Sequence, residues 1–322
     1  MHGQFAWYEL STTDTRAALE FYPKFTGWRT QPFDNDYTLF TSGGAPIAGV
    51  FRLTDELRAQ GVPPNWMPYV EASNVADTAA LATSLGAMVV HGPQSIPNVG
   101  DIAVIRDPQG ATFGVYKSSS GAPSWDGKPV IGHFSWNELM TTDAPKALEF
   151  YRRVFGWEIT SEMDMGGGAK YYLFGKNGVP YGGLFARFGD MASMPPFWLS
   201  YIHVKSVQAA VAAATKGGAK IHRPPMDIPG GVISILGDPQ GAGFAVHHEG
   251  APLAAKATPA KKAAKKSKPK AAKKPKKSAK KAKKSAKKAK KSAKKSAKRK
   301  PAKKSKSKSS RRPARRKSAK RR

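Results

Sequence analysis

Along residues 5–27 the hydrophobic positions change their period once. From Phe5 to Leu10 apolar and polar side chains alternate in a short run, which is typical of a β-strand. From Thr15 to Thr26 apolar residues recur three and four positions apart, which is typical of an amphipathic helix. Asp14 stands where a helix N-cap is expected and Gly27 where the helix should end. The pattern predicts a strand followed directly by a helix.

Short apolar runs bounded by turn residues follow this helix and predict three strands. The same series of one strand, one helix and three strands then begins again near residue 66. The predicted strands are Trp28–Gln31, Tyr37–Thr41, Ile47–Arg52, Trp66–Ala72, Ala87–Val90, Asp101–Arg106 and Ala111–Tyr116, and the second helix is Val75–Leu85.

The whole pattern occurs a second time, because the sequence contains an internal duplication. Phe5–Asp14 matches Phe134–Asp143 at an offset of 129, and the Asp-Pro-Gln-Gly segment at 107–110 recurs at 238–241. A repeat of this length indicates duplicated domains rather than a solenoid. The second copy is predicted to have helices Ala144–Phe155 and Val207–Lys216 and strands Phe134–Met140, Trp157–Ser161, Lys170–Phe174, Tyr181–Ala186, Trp198–Val204, Ala219–His222, Val232–Leu236 and Gly243–His247.

These elements predict an α+β fold with two tandem domains, each built from two βαβββ units. We place the first domain at 1–118, a linker at 119–129, the second domain at 130–250 and a separate tail at 251–322. Two domains of this size can each bury an ample core. No apolar run approaches the 18 residues of a membrane span. We therefore expect an intracellular, cytoplasmic protein without a span.

Three motifs identify a family resemblance. The segments FYPKFTGW and FYRRVFGW follow a Thr-Thr-Asp helix start, and each copy ends with a DPQG turn and a strand. In this the chain resembles the tandem two-domain members of the vicinal oxygen chelate superfamily, which includes glyoxalase I, extradiol dioxygenases and the bleomycin resistance proteins. The resemblance covers residues 3–249. It implies two open eight-stranded cups, each with a ligand pocket, that form a pseudo-dimer within one chain.

Catalytic members of this superfamily bind a divalent metal through His and Glu on the inner face of the cup. None of the corresponding positions in this chain carries such a ligand; they fall on Trp7, Met67, Gly114 and residues 47–49 in the first copy, and on Trp136, Leu199, Ala245 and residues 181–183 in the second. We therefore expect no metal and no cofactor. A different site built from His203, His247 and Glu138 stays open as an alternative. The chain has no Cys, which excludes thiolate sites.

Because strand residues alternate between faces, Trp7 facing the cup would place Phe5 and Glu9 there too, and Phe134, Trp136 and Glu138 in the second copy. The predicted ligand-binding lining is Trp7, Glu9, Trp66, Tyr69, Tyr116, Trp136, Glu138, Tyr172, Trp198, Tyr201 and His203. Aromatic rings around one carboxylate suit a flat or cationic small molecule. Two alternatives remain: the tryptophans fill the cups, and the glutamates pair with Arg29 or Arg106.

The charge of the chain is divided unevenly. Residues 251–322 hold 36 of the 54 Lys and Arg and none of the 22 Asp and Glu. Such a segment cannot bury enough apolar surface to fold alone, so we expect disorder. Its composition is similar to the lysine-rich tail of linker histone H1. The predicted nucleic-acid-binding residues are Lys261, Lys262, Lys280, Lys281, Lys287, Lys288, Lys294, Lys295, Arg311, Arg312, Arg315 and Arg316.

Nothing in the tail can read bases, so binding without sequence preference is expected, with DNA favoured over RNA. The leading interpretation is a metal-free small-molecule-binding protein tethered to DNA, which would sequester an aromatic or cationic compound in the bacterial nucleoid. One alternative is a glyoxalase- or dioxygenase-like lyase or isomerase with an unrecognised site. The other is a structural nucleoid protein whose body is only a spacer.

Overall fold

The computed structural model describes residues 2–34, 36–121 and 127–250. The predicted disorder and the nucleic-acid-binding residues of the tail lie outside these described residues. The described residues belong to one compact unit. Within the described part, no helix is long and apolar enough to cross a lipid bilayer.

The first half of the described chain forms one eight-stranded sheet with the order β2-β3-β4-β1-β5-β8-β7-β6. The first strand pairs in parallel with β4 and antiparallel with β5, so the two βαβββ units join at the middle of the sheet. Its elements are β1 Phe5–Thr12, α1 Thr15–Phe21, α2 Pro23–Thr26, β2 Arg29–Asp34, β3 Tyr37–Ser42, β4 Ala45–Arg52, α3 Asp55–Ala59, β5 Asn65–Glu71, α4 Val75–Ser84, β6 Met88–Ile96, β7 Gly100–Arg106 and β8 Thr112–Ser118.

The second half forms a sheet with the same connections, in the order β10-β11-β12-β9-β13-β16-β15-β14. The predicted α+β fold with two open eight-stranded sheets is confirmed. The elements are β9 Phe134–Thr141, α5 Ala144–Phe155, β10 Glu158–Gly166, β11 Ala169–Lys176, β12 Val179–Ala186, a 3₁₀ turn Gly189–Met191, β13 Phe197–His203, α6 Val207–Lys216, β14 Lys220–Ile228, β15 Gly231–Gly237 and β16 Gly243–Glu249.

The first helix differs from its prediction because it breaks into two pieces. The Asp14 side chain accepts from the Ala17 amide as expected of an N-cap, and Gly27 ends the second piece with φ of 78°. The break falls at Pro23, which has no N–H to donate within the helix. The second copy has Arg152 at this position, and α5 is continuous.

The two halves of the described chain share their cores. One apolar cluster combines the first βαβββ unit with α6 and its neighbouring strands, and a second cluster combines α4 and its strands with α5. Tyr8 stacks on Phe134 with ring centroids 3.7 Å apart. The Trp28 indole donates to the Gly132 carbonyl, and the Trp157 indole donates to the Gly3 carbonyl. This reciprocal packing is consistent with a pseudo-dimer within one chain, and we call it the seam.

Candidate functional site

The two faces of β1 have different surroundings. Tyr8 and Leu10 belong to the same buried cluster as Phe21 on α1, so this face of the sheet is covered by helices. Trp7 and Glu9 alternate with them and lie on the opposite face. We call the side that carries Glu9, and the side of the second sheet that carries Glu138, the inner faces.

Four side chains form a connected network on the first inner face. The Tyr37 hydroxyl donates to Glu9 Oε1 over 2.8 Å, and the Tyr69 hydroxyl donates to Glu9 Oε2 over 2.6 Å. The Trp7 indole N–H donates to the Tyr37 hydroxyl oxygen over 3.1 Å. We call Trp7, Glu9, Tyr37 and Tyr69 the first quartet. Trp7, Glu9 and Tyr37 keep part of their surface exposed, so the network is open to solvent.

The Tyr37 ring reaches Glu9 only because β4 carries a glycine between them. Gly49 lies opposite Glu9 in the register of β1 and β4. A Cβ atom at Gly49 would lie 1.8 Å from the Tyr37 hydroxyl oxygen, far inside any contact distance. The missing side chain therefore makes room for the tyrosine to cross the strand.

The second sheet repeats the arrangement. The Tyr171 hydroxyl donates to Glu138 Oε2 over 2.8 Å and accepts from the Trp136 indole over 3.0 Å. Tyr201 also hydrogen-bonds to the Glu138 carboxylate. A Cβ atom at Gly183 would lie 2.1 Å from the Tyr171 hydroxyl oxygen. Trp136, Glu138, Tyr171 and Tyr201 form the second quartet.

Burial sets the electrostatics of both quartets. Desolvation raises the pKa of Glu9 above the ordinary value, although the hydrogen bonds from Tyr69 and Tyr37 and the charge of His91 oppose the shift. Desolvation likewise raises the pKa of Glu138, against the bonds from its own tyrosines. The pKa of Tyr69 rises well above its usual value through burial and the Glu9 charge, so its hydroxyl stays a donor. Each quartet offers a carboxylate whose proton is held more tightly than usual.

The residues at the family's metal positions do not fit a metal ion. Trp7 and Trp136 carry no lone pair that a divalent cation would take, because an indole N–H is only a donor. The other positions of the family's metal site in the first sheet, Met67, Gly114 and residues 47–49, carry no His, Asp or Glu. Within the described ranges no group of three or more such side chains is arranged to hold a metal. The side chains at these positions therefore supply no ligands for the metal-dependent chemistry of the family.

Two tryptophans of the predicted lining lie on the other face. Trp66 is 4 % exposed within the first core cluster, and its indole donates to the Tyr22 hydroxyl. Trp198 is 5 % exposed in the second cluster and donates to the Tyr151 hydroxyl. The prediction that they face the cups is wrong, because Trp66 pairs with Leu10 in the strand register and so shares its helix-covered side.

Three other positions are also corrected. Tyr172 packs against the second core cluster, and it is the preceding Tyr171 that reaches Glu138. Phe5 lies against Trp157 with ring centroids 5.6 Å apart, at the seam. An irregularity in the register between Phe5 and Trp7 breaks the simple alternation of β1. Phe134 stacks on Tyr8 for the same reason, since β9 has the equivalent irregularity opposite Tyr201 and Ile202.

The remaining predicted residues lie beside the quartets. Tyr116 pairs with Glu71 in the register of β5 and β8, and its hydroxyl donates to the Val99 carbonyl. His203 pairs with His247 at the same place in the second sheet, with ring centroids 5.5 Å apart. Burial and the charges of the neighbouring histidines lower the pKa of His247 to about 4. His203 and Glu138 do not come together, because Glu138 pairs with Leu199, four residues away on β13.

Sequence reasoning missed two members of the quartets, Tyr37 and Tyr171. The alternative that Glu9 pairs with Arg29 or Arg106 does not describe the structure, in which the donors to Glu9 are tyrosine hydroxyls. The internal duplication of the sequence contains a signal that would have identified these two tyrosines. Tyr37 and Gly49 correspond to Tyr171 and Gly183 at one shared offset of 134, so the tyrosine and its glycine recur together.

Comparison with known proteins identifies the family in both halves. Residues 7–116 match the model of a glyoxalase-like domain, and residues 130–246 match the model of the glyoxalase/bleomycin resistance protein/dioxygenase superfamily. CFP32 of Mycobacterium tuberculosis, which is named as a glyoxylase, is 30% identical to this chain over 74% of this chain and 92% of its own length. The anthracycline biosynthesis protein DauV of Streptomyces sp. strain C5 is 29% identical over 75% of this chain and 91% of its own length.

Solved structures share the fold at low sequence identity. The Mn(II)-bound glyoxalase of Novosphingobium aromaticivorans has a TM-score of 0.55 at 16% identity, covering 77% of this chain and 82% of that protein. A variant of homoprotocatechuate 2,3-dioxygenase from B. fuscum has a TM-score of 0.56 at 14% identity, covering 80% of this chain and 74% of that protein. On these matches and the tandem βαβββ sheets, the chain belongs to the glyoxalase/bleomycin resistance protein/dioxygenase superfamily.

Proposed function

We propose that this protein binds a small molecule at its inner faces without a metal, and that its basic tail holds it on DNA. The observation that carries the first part is the quartet itself. A Trp–Tyr–Glu–Tyr network stands on both inner faces, partly open to solvent, with a glycine that clears the way for one tyrosine. A carboxylate that served only packing would have no need of this exposure.

The ligand class follows from the donors and acceptors of the quartet. Each Glu9 oxygen accepts one phenol hydrogen bond and keeps a further lone pair for a ligand. An ammonium or another strong donor would pair with this desolvated carboxylate, and the flanking Trp7 and Tyr37 rings favour a flat aromatic body. Relatives named for anthracycline biosynthesis support the same class, since anthracyclines are planar aromatic compounds. The proposed ligand is a planar aromatic cation.

A pair of matched probes tests the binding site. The full chain is dialysed against 9-(aminomethyl)anthracene and, separately, against 9-anthracenecarboxylate, which carries the opposite charge on the same rings. The amine should bind and the carboxylate should not compete with it. The double variant E9Q/E138Q should lose the amine by at least tenfold. Absence of amine binding to the wild-type chain would overturn the small-molecule proposal and favour a body that is only a spacer.

The DNA proposal rests on the sequence of residues 251–322 alone. A polycation releases counterions from the duplex, so binding weakens steeply with salt. If about 10 phosphates are neutralised, the slope of log K against log salt is about −9. Fluorescence anisotropy of labelled duplexes of two unrelated sequences, and of an RNA duplex, measures this slope. Equal affinity for the two DNA sequences is expected; a strong sequence preference or tighter binding to RNA would contradict the proposal.

A second candidate function, proton transfer, is favoured by the raised pKa of Glu9. A carboxylate that binds its proton more tightly than usual and is held in place by two phenol hydrogen bonds has the properties of a general base. Such a site would move a proton between adjacent carbons of a carbonyl compound. Turnover of the hemithioacetal of methylglyoxal and glutathione by the full chain in the presence of a chelator, lost in E9Q, would establish this function. No turnover would leave binding as the sole role.

A further inference from the structure

We propose that the two quartets are not equivalent: both keep part of their surface exposed, but the first inner face takes the ligand, because the floor of the second is packed with its own apolar side chains. This inference rests on the proposed function and assigns it to one half of the molecule. Gly114, which neither quartet includes, is the residue that makes the difference.

The floors of the two inner faces differ in exposure at matched positions. Met67 lies opposite Glu9, and Leu199 lies opposite Glu138, in the same register. Met67 is partly exposed, whereas Leu199 is 5 % exposed. The matched residues Ile102 and Ile233 differ in exposure in the same direction.

Ile102 opposite Tyr116 is partly exposed, whereas its counterpart Ile233 opposite His247 is 9 % exposed. In the second sheet Leu199 and Ile233 form one apolar cluster with Tyr201 and Ala245. The second inner face therefore already has contacts where the first leaves surface for a ligand.

The two inner faces differ by a single methyl group at the residue that pairs with the central tyrosine of each quartet. Tyr69 pairs with Gly114, and Tyr201 pairs with Ala245. A Cβ atom at Gly114 would lie 2.1 Å from Cδ1 of the Tyr69 ring, so the ring occupies the space that the Ala245 methyl fills in the second sheet. The Tyr69 ring packs against this glycine, and its hydroxyl donates to Glu9 over 2.6 Å. Gly114 thus sets the position of the shorter of the two Glu9 hydrogen bonds.

The first inner face also carries a second polar group suited to a ligand. His91 on the edge strand β6 pairs with Val104, on the inner side, and hydrogen-bonds to Gln94. It lies close enough to Glu9 for its charge to act on that carboxylate. At the same register position the second sheet carries Arg223, opposite Ile235, so the imidazole has no counterpart there. The first face combines a carboxylate and an imidazole around an open floor.

Stoichiometry with 9-(aminomethyl)anthracene tests the inference on the full chain by isothermal titration calorimetry. We expect one amine per chain. E9Q should weaken this binding by at least tenfold, whereas the same substitution at Glu138 should weaken it far less. Two amines per chain, with each glutamine variant removing one, would overturn the inference while leaving the small-molecule proposal intact. Absence of all binding would instead refute that proposal.

The glycine is tested by a matched pair of variants. G114A should weaken amine binding at least tenfold, because Tyr69 must move off Glu9, whereas A245G should bind as the wild type does. Unchanged amine affinity in G114A would contradict the role of this position. Far-ultraviolet circular dichroism reports whether G114A folds; if it does not, the E9Q and E138Q pair still decides between the faces, because those substitutions remove no packing volume.

Discussion

Each sheet has a hydrogen-bonded series of tryptophan, tyrosine and carboxylate side chains on both of its sides. The surroundings of the carboxylate differ between the two sides. On the first inner face the Trp7 indole donates to Tyr37, which donates to Glu9. On the seam side the Trp66 indole donates to Tyr22 over 2.8 Å, and Tyr22 donates to Asp238 over 2.9 Å. The second sheet repeats the seam chain with Trp198, Tyr151 and Asp107.

The difference lies in what else each carboxylate accepts. Asp107 Oδ1 takes the backbone amides of Gln109, Gly110 and Ala111, and Oδ2 takes the Tyr151 hydroxyl. Its accepting capacity is used, and the residue is 3 % exposed. Glu9 accepts from two phenols and is partly exposed. The comparison indicates that a saturated carboxylate joins the halves of the molecule, whereas an unsaturated one is available to a ligand.

Removing the seam carboxylate should give the largest effect. Asp107→Ala leaves the Gln109 and Ala111 amides and the Tyr151 hydroxyl without an acceptor, whereas the Gly110 amide keeps the Asp107 carbonyl; each buried unsatisfied group costs about 1–3 kcal/mol. The free energy of unfolding should fall by about 3–5 kcal/mol in a urea titration. The matched inner variant E9Q should change it by less than about 1 kcal/mol, since glutamine keeps a carbonyl acceptor and removes a desolvated charge. Equal losses would mean that Glu9 is structural too.

Substitution of the matched tyrosines, Tyr22 on the seam side and Tyr37 on the inner face, tests the same comparison with a smaller expected effect. Tyr22→Phe should cost about 1–2 kcal/mol of unfolding free energy and leave the affinity for 9-(aminomethyl)anthracene unchanged. Tyr37→Phe removes a hydrogen bond that favours the charged form of Glu9, so the Glu9 pKa should rise further. The pH at which amine binding is half developed should then move upwards, as measured by fluorescence titration. Loss of affinity in Tyr22→Phe would show that the two sides are coupled.

The sequence predicted the sheets well because their signals are local. The strand and helix periods, the Asp14 cap and the duplicated motifs gave the βαβββ units and their order in the chain. The helix break at Pro23 could also have been expected, because proline lacks an amide hydrogen. What the sequence could not supply was the face of Trp66 and Trp198. The alternation of residues along β5 and β13 and the aromatic character of these tryptophans fit either face of the sheet. Only the pairing register with β1 and β9 shows which face each tryptophan occupies.

The site was predicted in part for the same reason. Glu9 and Glu138 were found by alternation from Trp7 and Trp136, within one strand. Tyr37 comes from another strand and crosses Gly49 to reach Glu9, so its role depends on a distance that no local pattern encodes. Pairing with arginine was an alternative in the sequence analysis, because opposite charges can pair in a buried site; two phenols instead hydrogen-bond Glu9 without a second desolvated charge.

The smallest expected effect is the pH dependence that the inner carboxylates impose on stability. Because burial raises the folded-state pKa of Glu9 and Glu138, their contribution is fully present below the ordinary value of 4.5 and is lost as the pH rises through the folded pKa. The E9Q/E138Q variant lacks this loss, so its stability relative to the wild type should grow as the pH rises above 4.5.

Urea titrations of both proteins at a series of pH values measure the difference. The partial exposure of the glutamates reduces it, because solvent screens the carboxylates. Asp107 and Asp238 also have a pKa raised by burial, but they are present in both proteins and cancel in the difference. A difference that stays constant with pH would show that the inner carboxylates are as well satisfied as the seam carboxylates, which would remove the distinction between the two sides of each sheet.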